Sequence, residues 1–382
     1  MTDTPLASPR PAAPARAWDW IVARRELLAW AVGSRVLVFA CAYLLHRLHR
    51  PQGFFPVRYD AFDSANHVLG SWDGEWYRRV ALHGYHFVPG EQSDTAFFPL
   101  YPLLLRAVHL VGPDLLLAGL IISNVAFVVA VLAFAALTRE LFDGDTARRA
   151  AIWLCVFPLG FVFSMEYPTS LVFAAMALGT LAALRGHWLW AALAVGLASL
   201  ARPEGAVLVV PLAVLAWQQR DEAPRWRIAA ALAAGPLAVA SFPVYLWYRI
   251  GNIHAWTDAQ REWGRSFHLL GIWDAFAQLP EDLDRHQWLL RDLGFLVAYV
   301  VLLLLARRAG VGWPWIVAAA ALVVVPLTSG TVVSDARFGM VGFAFYWVLA
   351  RVVRRPWLEG ALQAGCLALV IWWMLTLPLA SP

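Results

Sequence analysis

Long apolar runs recur along almost the whole of this 382-residue chain, and they constrain its fold more than any other feature. About eleven runs reach or approach the length of a membrane-spanning helix. They lie at about 27–46, 114–137, 150–165, 168–184, 187–201, 206–217, 228–250, 291–307, 313–328, 338–352 and 358–378. The chain is 60% hydrophobic and 15% charged, more apolar than a water-soluble globule of this length accommodates. The pattern predicts an all-α polytopic membrane protein with about 11 transmembrane helices, in a range of roughly 10–13.

The loops predict an orientation. Residues 1–25, rich in proline and alanine, predict a disordered cytoplasmic tail, and residues 26–382 a single transmembrane domain. Arginines concentrate in the short loops on the N-terminal side, which the positive-inside rule makes cytoplasmic. The segment 97–111 contains two prolines and an arginine and is predicted to be re-entrant or interfacial. The long loops 47–113 and 251–290 then lie outside the cell membrane, and loops of that length are usually functional.

The first long loop contains a short amphipathic helix with an acid at its start. Apolar residues between Glu75 and His83 share one helical face, and Gly84 is a natural end for the helix. This spacing predicts an interfacial helix lying flat on the membrane. Asp73 stands just before it and has two interpretations, a structural N-cap or a functional carboxylate. The segment 97–102 follows closely and is predicted to fold as an aromatic lid over the same site.

The predicted topology places several polar side chains at the same membrane face as Asp73. Ionisable groups at membrane depth are costly unless they are paired or hydrated, so they indicate a site. Structural alternatives remain: Glu166 and Arg202 as a fixing ion pair, and Arg337 and Arg35 as side chains that snorkel to an interface. The histidines are scattered, so no metal site is predicted, and a requirement for a divalent cation such as Mg²⁺ or Mn²⁺ stays open. The polar residues at this face are Glu166, Arg202, Glu204, Gln260, Arg261, Glu262, Arg265, Asp335 and Arg337.

Such a face favours transfer of a group from a lipid-linked phosphate. Asp73 would act as general base on an acceptor hydroxyl, and arginines would hold the phosphate leaving group. Trp72 and Tyr85 are candidates for stacking on a sugar ring. No glycine-rich phosphate loop supports nucleotide hydrolysis, and the scattered arginines form no basic stripe for a nucleic acid.

The motifs resemble those of the GPI mannosyltransferase II (PIG-V) family. The first-loop motif is the most specific, and the other matches follow in order over roughly residues 30–350. Phe338 stands where the family usually has tyrosine, and Glu75 also departs from the family's usual residue. The matching segments are Trp72-Asp73-Gly74, Trp76-Tyr77, Gly84-Tyr85, Phe97 to Pro102, Phe157-Pro158, Ser164 to Tyr167, Ala201 to Gly205, Gln260 to Gly264, Thr328 to Gly330 and Arg337-Phe338.

The resemblance implies a C-type glycosyltransferase fold and a polyprenyl-phosphate-mannose donor used on the outer face of the membrane. It implies that Asp73 is the base and that the sugar is transferred with inversion. The composition is bacterial in character, so a lipid-linked or cell-envelope glycan is a better acceptor than GPI. Residues expected to contact donor or acceptor are Trp72, Glu75, Tyr85, Tyr101, Glu166, Arg202, Gln260 and Arg337.

Two other function classes remain open. A non-catalytic flippase or transporter of polyprenyl-linked sugars would show an internal repeat and polar groups near the bilayer midplane, and no clear repeat is found. A glycan polymerase or ligase would gather its charges in one large outer loop, such as 251–290.

Overall fold

The computed structural model describes residues 17–48, 65–285 and 289–377, and these residues form helices joined by turns and loops without β-strands. Residues 49–64 of the predicted loop 47–113 and residues 1–16 of the predicted tail 1–25 lie outside the described residues. Helix α1 begins at Ala17, within the predicted tail. In chain order the helices are α1 Ala17–Leu48, α2 Ala65–Leu69, α3 Asp73–His83, α4 Leu100–His109, α5 Leu115–Leu141, α6 Gly144–Val156, α7 Thr169–Leu184, α8 Trp188–Ala201, α9 Val209–Gln218, α10 Arg225–Ile250, α11 Ala255–Glu262, α12 Gly271–Ala277, α13 Leu279–Arg285, α14 Leu289–Ala306, α15 Trp313–Leu327, α16 Asp335–Gly339, α17 Phe343–Val352 and α18 Pro356–Leu375.

Five of these helices are long and apolar enough to cross a membrane: α1, α5, α10, α14 and α18. The other predicted spans coincide with shorter helices, such as α8, whose 14 residues extend only about 21 Å against a hydrocarbon core of about 30 Å. The apolar runs that contain them are divided by turns at Pro158, Pro168 and Pro203. The protein is therefore a multi-pass, all-helical membrane protein, and eleven full spans are not established.

The segment 97–111 does not form a span. It contains a bend at 97–99 and then α4, whose ten residues are too few to cross the hydrocarbon core. One side of α4 buries Tyr101 and Leu105, and the opposite side leaves Leu103 exposed. This agrees with the predicted re-entrant or interfacial segment.

The interior of the bundle is largely apolar, and Arg35 is one of the few charged residues buried in it. Helices α5, α7 and α8 pack side by side, and α17 is buried around nearly its whole circumference. Arg35 of α1 is buried, donates to the carbonyl of Gly160 at 2.5 Å, and lies over the ring of Phe127 at 4.0 Å. The prediction that Arg35 snorkels to the interface is wrong, because the turn after α6 satisfies its guanidinium inside the protein.

Ion pairs join the arginine-rich ends of several helices. Arg148 pairs with Glu26, Arg149 with Glu359, and Arg185 with Glu140. Arg351, at the end of α17, approaches Asp143 at 3.6 Å. The short basic loops that the topology assigns to one side therefore do meet at one end of the bundle.

Candidate functional site

A cavity of about 390 Å³ lies at the opposite end of the bundle, and Asp73 is in its wall. Its lining comes from the start of α3, the turns after α6 and α8, the second long loop, and the chain around α15 and α16. The cavity therefore draws on segments that are far apart in the sequence. The residues that line the cavity include Asp73, Tyr77, Phe97, Phe98, Tyr167, Arg202, Glu204, Trp256, Gln260, Trp263, Arg265, Phe267, Ala321, Leu322, Val325, Pro326, Arg337 and Phe338.

Asp73 forms an ion pair with Arg337. The distance from Asp73 Oδ2 to the guanidinium is 2.5 Å, and the two residues are 264 positions apart. Asp73 is the first residue of α3, and its carboxylate makes no capping hydrogen bond in that helix. The N-cap interpretation of Asp73 is therefore wrong, as is the alternative in which Arg337 only snorkels to the interface. Arg337 is almost fully buried, so the pair is fixed, while Asp73 keeps partial exposure toward the cavity.

Backbone strain flanks both members of this pair. Trp72 has a φ of +60° and Ser334 a φ of +65°, the two positive values among the non-glycine residues that the structure describes. Such a conformation is unusual for a bulky residue and persists only when its surroundings enforce it. The hydroxyl of Tyr167 lies 3.3 Å from the Asp73 amide nitrogen, which donates to it, and 3.4 Å from the carbonyl of Ser71, to which it donates. Tyr167 thus ties the strained turn to the end of the α6–α7 connection.

Three guanidinium groups surround one aromatic ring. The carbon atoms at their centres lie 4.9 Å, 4.8 Å and 6.0 Å from the centroid of Phe338 for Arg202, Arg265 and Arg337. Arg202 is paired with Glu204 at 2.5 Å, and Arg337 with Asp73. Arg265, by contrast, has no carboxylate partner within the described residues and donates to the carbonyl of Val333.

The position of Arg265 leaves its charge poorly compensated. Burial lowers the pKa of Arg265 to about 10, and the neighbouring charge of Arg337 adds to the shift. The guanidinium still carries its charge at neutral pH, because a pKa of about 10 lies well above it. A charged group in such a place favours an anion as a further partner.

The predicted substrate-binding residues divide into two groups. Arg202, Gln260 and Arg337 line the cavity with Asp73, as do Phe97 and Phe98 of the predicted aromatic lid. The other predicted residues do not line it, and each has a different position. They are Trp72, Glu75, Tyr85, Tyr101 and Glu166.

The residues outside the cavity are explained by their neighbours. Trp72 packs against the main apolar core, and Glu75 points to solvent on the exposed side of α3. Tyr85 donates to the carbonyl of Phe97 at 2.8 Å, so it supports the lid from outside. Tyr101 is fully buried and its hydroxyl bonds to Gly119 and Ser123.

Glu166 is a structural neighbour of the site. It is fully buried and pairs with Arg78 of α3, so the alternative in which it pairs with Arg202 is wrong. Its side chain occupies a space kept open by Gly70, Gly74 and Gly119, where an added Cβ would approach it to 3.1 Å or less. Its amide donates to the carbonyl of Leu69 at 2.9 Å. Glu166 thus holds the α2–α3 turn that carries Asp73.

Several cavity residues were not predicted as binding residues. The motifs include Tyr77 and Tyr167 without assigning them a binding role, and no prediction covers Trp256. Arg265 is predicted only as one of the polar residues of the second loop. Trp256, Gln260 and Trp263 recur at helical spacing in that loop. This spacing is the sequence signal for the side of α11, and of the residue after it, that lines the cavity. In the described residues, no group of three or more His, Cys, Asp or Glu side chains is placed to hold a metal ion.

Comparison with solved structures gives similarity to an archaeal oligosaccharyltransferase. The oligosaccharyltransferase of Archaeoglobus fulgidus, tethered to an acceptor peptide, is 13% identical, with a TM-score of 0.44 over 92% of this chain and 55% of that one. The same enzyme, AglB, in complex with an inhibitory peptide and a dolichol-phosphate, is 15% identical with a TM-score of 0.44 over 91% and 55%. This chain thus spans about half the length of those proteins.

Comparison of the sequence with protein families gives a more specific result than comparison with solved structures. No curated protein sequence matches the chain significantly. A family model described as mannosyltransferase (PIG-V) matches residues 24–216, which include Asp73, Glu166 and Arg202. This range is half of the chain, and the protein belongs to the mannosyltransferase (PIG-V) family.

Proposed function

We propose that this protein transfers mannose from a polyprenyl-phosphate-mannose donor to a hydroxyl of a lipid-linked or cell-envelope glycan. Family membership supports mannosyl transfer. The observation that carries the proposal is the cavity itself, in which an arginine-held carboxylate faces a second arginine that has no carboxylate partner among the described residues. The first group suits a base and the second suits a phosphate.

Asp73 is the proposed general base. Its Oδ2 is held by Arg337, which leaves Oδ1 to accept the proton of the acceptor hydroxyl. The acceptor oxygen forms a bond to the anomeric carbon as the bond from that carbon to the phosphate oxygen breaks. Attack from the face opposite the phosphate inverts the anomeric configuration. The leaving group departs as polyprenyl phosphate, with its new charge next to Arg265 and Arg202.

The arginines are the proposed source of positive charge for the phosphate. A guanidinium binds phosphate oxygens in pairs through parallel N–H bonds, and three such groups converge on Phe338. The missing hydroxyl of Phe338, relative to the family's usual tyrosine, leaves an apolar ring on which the guanidinium groups stack.

Because the arginines are proposed to supply the positive charge, we expect transfer activity to persist after dialysis against EDTA. Complete loss of activity that added Mg²⁺ or Mn²⁺ restores would contradict this assignment.

The aromatic side chains are the proposed sugar-binding surface. Trp76, Phe97 and Trp263 form a mutually contacting group, with Trp263 edge-on to the other two at 5.4 and 5.8 Å between centroids. Two of the three line the cavity beside Gln260, whose amide donates to the carbonyl of Ala96 at 3.2 Å. A hexose has one apolar face, which such rings cover while a carboxamide bonds to a hydroxyl.

The proposed topology places this cavity at the extracytoplasmic face of the cell membrane. Eleven crossings in a C-type glycosyltransferase fold, formed by residues 26–382 as one domain, bring the arginine-rich ends to the cytoplasm. The cavity and the ion-paired arginine loops lie at opposite ends of the bundle, which supports this arrangement. It also favours an enzyme over a transporter, because a transporter has its polar site near the midplane.

Transfer by the purified protein tests the proposal. Wild type and Asp73→Asn are compared with polyprenyl-phosphate-mannose and a membrane glycolipid extract as acceptor, and the control is Asp258→Asn, a partly exposed acid of α11 that does not line the cavity. General bases contribute about 10²- to 10⁴-fold, so Asp73→Asn should lose at least about 100-fold in kcat while Asp258→Asn stays near wild type. Normal turnover by a folded Asp73→Asn protein contradicts the base assignment. Movement of intact donor across vesicles without release of polyprenyl phosphate identifies a flippase instead.

A further inference from the structure

Two short turns at the end of the bundle opposite the cavity carry a pair of arginines each. Arg307 and Arg308 directly follow α14, and Arg354 and Arg355 directly precede α18. Both helices are long and apolar enough to cross a membrane. Each pair therefore lies where a span meets the headgroup layer of the bilayer.

The two turns are fixed against each other. The side chain of Arg351, at the end of α17, donates to the carbonyl of Ala309, and an added Cβ at Gly310 would lie 3.3 Å from its guanidinium. The turn after α14 is closed by its own backbone, because Gly310 has a φ of +74° and the amide of Val311 donates to the carbonyl of Ala306 at 3.0 Å. The two arginine pairs are therefore presented by adjacent turns whose backbones are held in place.

Acidic side chains do not balance the charge of these turns. Arg148 and Arg185 at the same end of the bundle each pair with a glutamate. The four arginines of the two turns are exposed, and none has a carboxylate partner among the side chains that the structure describes. The sequence explains this contrast, because residues 293–334 contain no Asp or Glu. The nearest acid in α18, Glu359, pairs with Arg149 at 3.0 Å.

A tryptophan accompanies each arginine pair. Trp313 begins α15 and is 59% exposed, and the central guanidinium carbon of Arg307 lies 5.0 Å from the centroid of its ring. Trp357 is the second residue of α18 and is 68% exposed. Tryptophan is enriched at headgroup depth, because it joins an apolar ring to a polar N–H. We call this surface the basic turns, and its residues are Arg307, Arg308, Trp313, Arg354, Arg355 and Trp357.

An exposed apolar stripe of α14 leads to the basic turns. Val297, Val301 and Leu304 are all exposed, with Leu304 at 74%, and Arg308 follows at the same helical spacing. The stripe is a surface for hydrocarbon chains, whereas a soluble anion gains nothing from it. A partner that matches both the stripe and the arginines has a negative headgroup and a hydrocarbon tail.

We propose that the basic turns bind the headgroup of an anionic phospholipid. The guanidinium groups donate hydrogen bonds to the phosphodiester oxygens, and the acyl chains lie along the exposed stripe of α14. The rings of the two tryptophans flank the headgroup. The site is at the opposite end of the bundle from the reaction cavity, so it is separate from the proposed transfer of mannose and does not depend on it.

Lipid binding by the detergent-purified full chain tests this proposal. Phosphatidylglycerol and phosphatidylcholine with identical acyl chains are titrated separately, and native mass spectrometry measures the bound lipid. The double variant Arg308→Gln/Arg355→Gln removes one exposed arginine from each turn. The matched control is Arg225→Gln/Arg227→Gln, which removes two exposed arginines next to a loop that contains two acids of its own.

We expect Arg308→Gln/Arg355→Gln to weaken phosphatidylglycerol binding by about tenfold or more, which is ~1.4 kcal/mol, and to leave phosphatidylcholine binding within about twofold of wild type. The control variant should keep the binding of both lipids within about twofold. Equal binding of the two lipids by wild type, or equal losses in the two double variants, overturns the proposal, because the basic turns then confer no preference. Displacement of phosphatidylglycerol by an equal concentration of glycerol 1-phosphate identifies a soluble anion as the ligand and overturns it as well.

Discussion

Arg265 gives the cavity a positive charge that no ion pair among the described residues balances. Arg202 and Arg337 each balance a carboxylate, so the charge that Arg265 adds is available to a ligand. We expect Arg265→Gln to raise the KM for the polyprenyl-phosphate donor about tenfold to 100-fold, because hydrogen bonds to charged groups contribute about 1.5–3 kcal/mol. Arg261→Gln removes a neighbouring arginine that pairs with Asp258 at the surface. Initial rates against donor concentration measure both, and an equal effect of the two variants contradicts the role of Arg265.

Asp335 gives the protein a dependence on pH. It is fully buried, neither carboxylate oxygen has a hydrogen-bond partner among the described residues, and burial together with the charge of Asp292 raises its pKa to about 8. Because the folded pKa is above the unfolded value, stability is greatest below the unfolded pKa and decreases as the pH rises toward 8. Within that interval, each pH unit lowers the free energy of unfolding by at most about 1.4 kcal/mol.

Asp335→Asn removes that titration. We expect its thermal midpoint to exceed that of wild type by an amount that grows between pH 5 and pH 8, with the largest difference at the upper end. Unfolding followed by thermal scans in detergent at several pH values measures the difference. A difference that is constant across this interval, or that shrinks as the pH rises, shows that Asp335 is ionised in the folded protein.

At the scale of helices, Gly70, Gly74 and Gly119 leave the space that Glu166 occupies. Because Glu166 holds the turn that carries Asp73, these glycines also fix the position of Asp73. An alanine Cβ at Gly119 of α5 would lie 2.2 Å from Glu166 Cγ, whereas one at Gly33 of α1 meets nothing within 4 Å. Gly119→Ala should therefore destabilise the fold by about 1–3 kcal/mol, as overpacking does, and Gly33→Ala should be neutral or stabilising by up to about 1 kcal/mol. Thermal midpoints of the two variants provide the comparison. Equal thermal midpoints of Gly119→Ala and Gly33→Ala would mean that the side chain of Glu166 moves freely to make room for the added methyl group.

Sequence reasoning predicted the elements better than their contacts. The helix α3, its buried face and its end at Gly84 follow from spacing within eleven residues, which is local information. The partner of Asp73 does not follow, because Arg337 is 264 residues away and several arginines suit the role equally. A Glu166–Arg202 pair is a reasonable alternative for the same reason, since both residues are predicted at one face, and only the packing shows that Arg78 is the partner of Glu166. The short helices likewise look like spans because their apolar runs continue through prolines into buried turns.

For the whole molecule, the separation of its two charged ends predicts an orientation. Glu91 is exposed in the first long loop near the cavity, and Asp221 is exposed between α9 and α10 at the other end. In a Cys366→Ser background, Glu91→Cys should react with a membrane-impermeant maleimide on intact cells, and Asp221→Cys only after the cells are permeabilised. The two remaining cysteines, Cys41 and Cys155, are buried. The reverse labelling pattern places the cavity in the cytoplasm and removes the proposed outer-face reaction.

The pairing of Asp73 with Arg337 has a consequence for biosynthesis. Asp73 leaves the ribosome 264 residues before the arginine that holds it. A chain synthesised only as far as α14 has the acid without its holder, and we expect it to be inactive. Under the proposed function, transfer then begins only after α16 is in place, so shorter products of translation would leave a lipid-linked sugar unused.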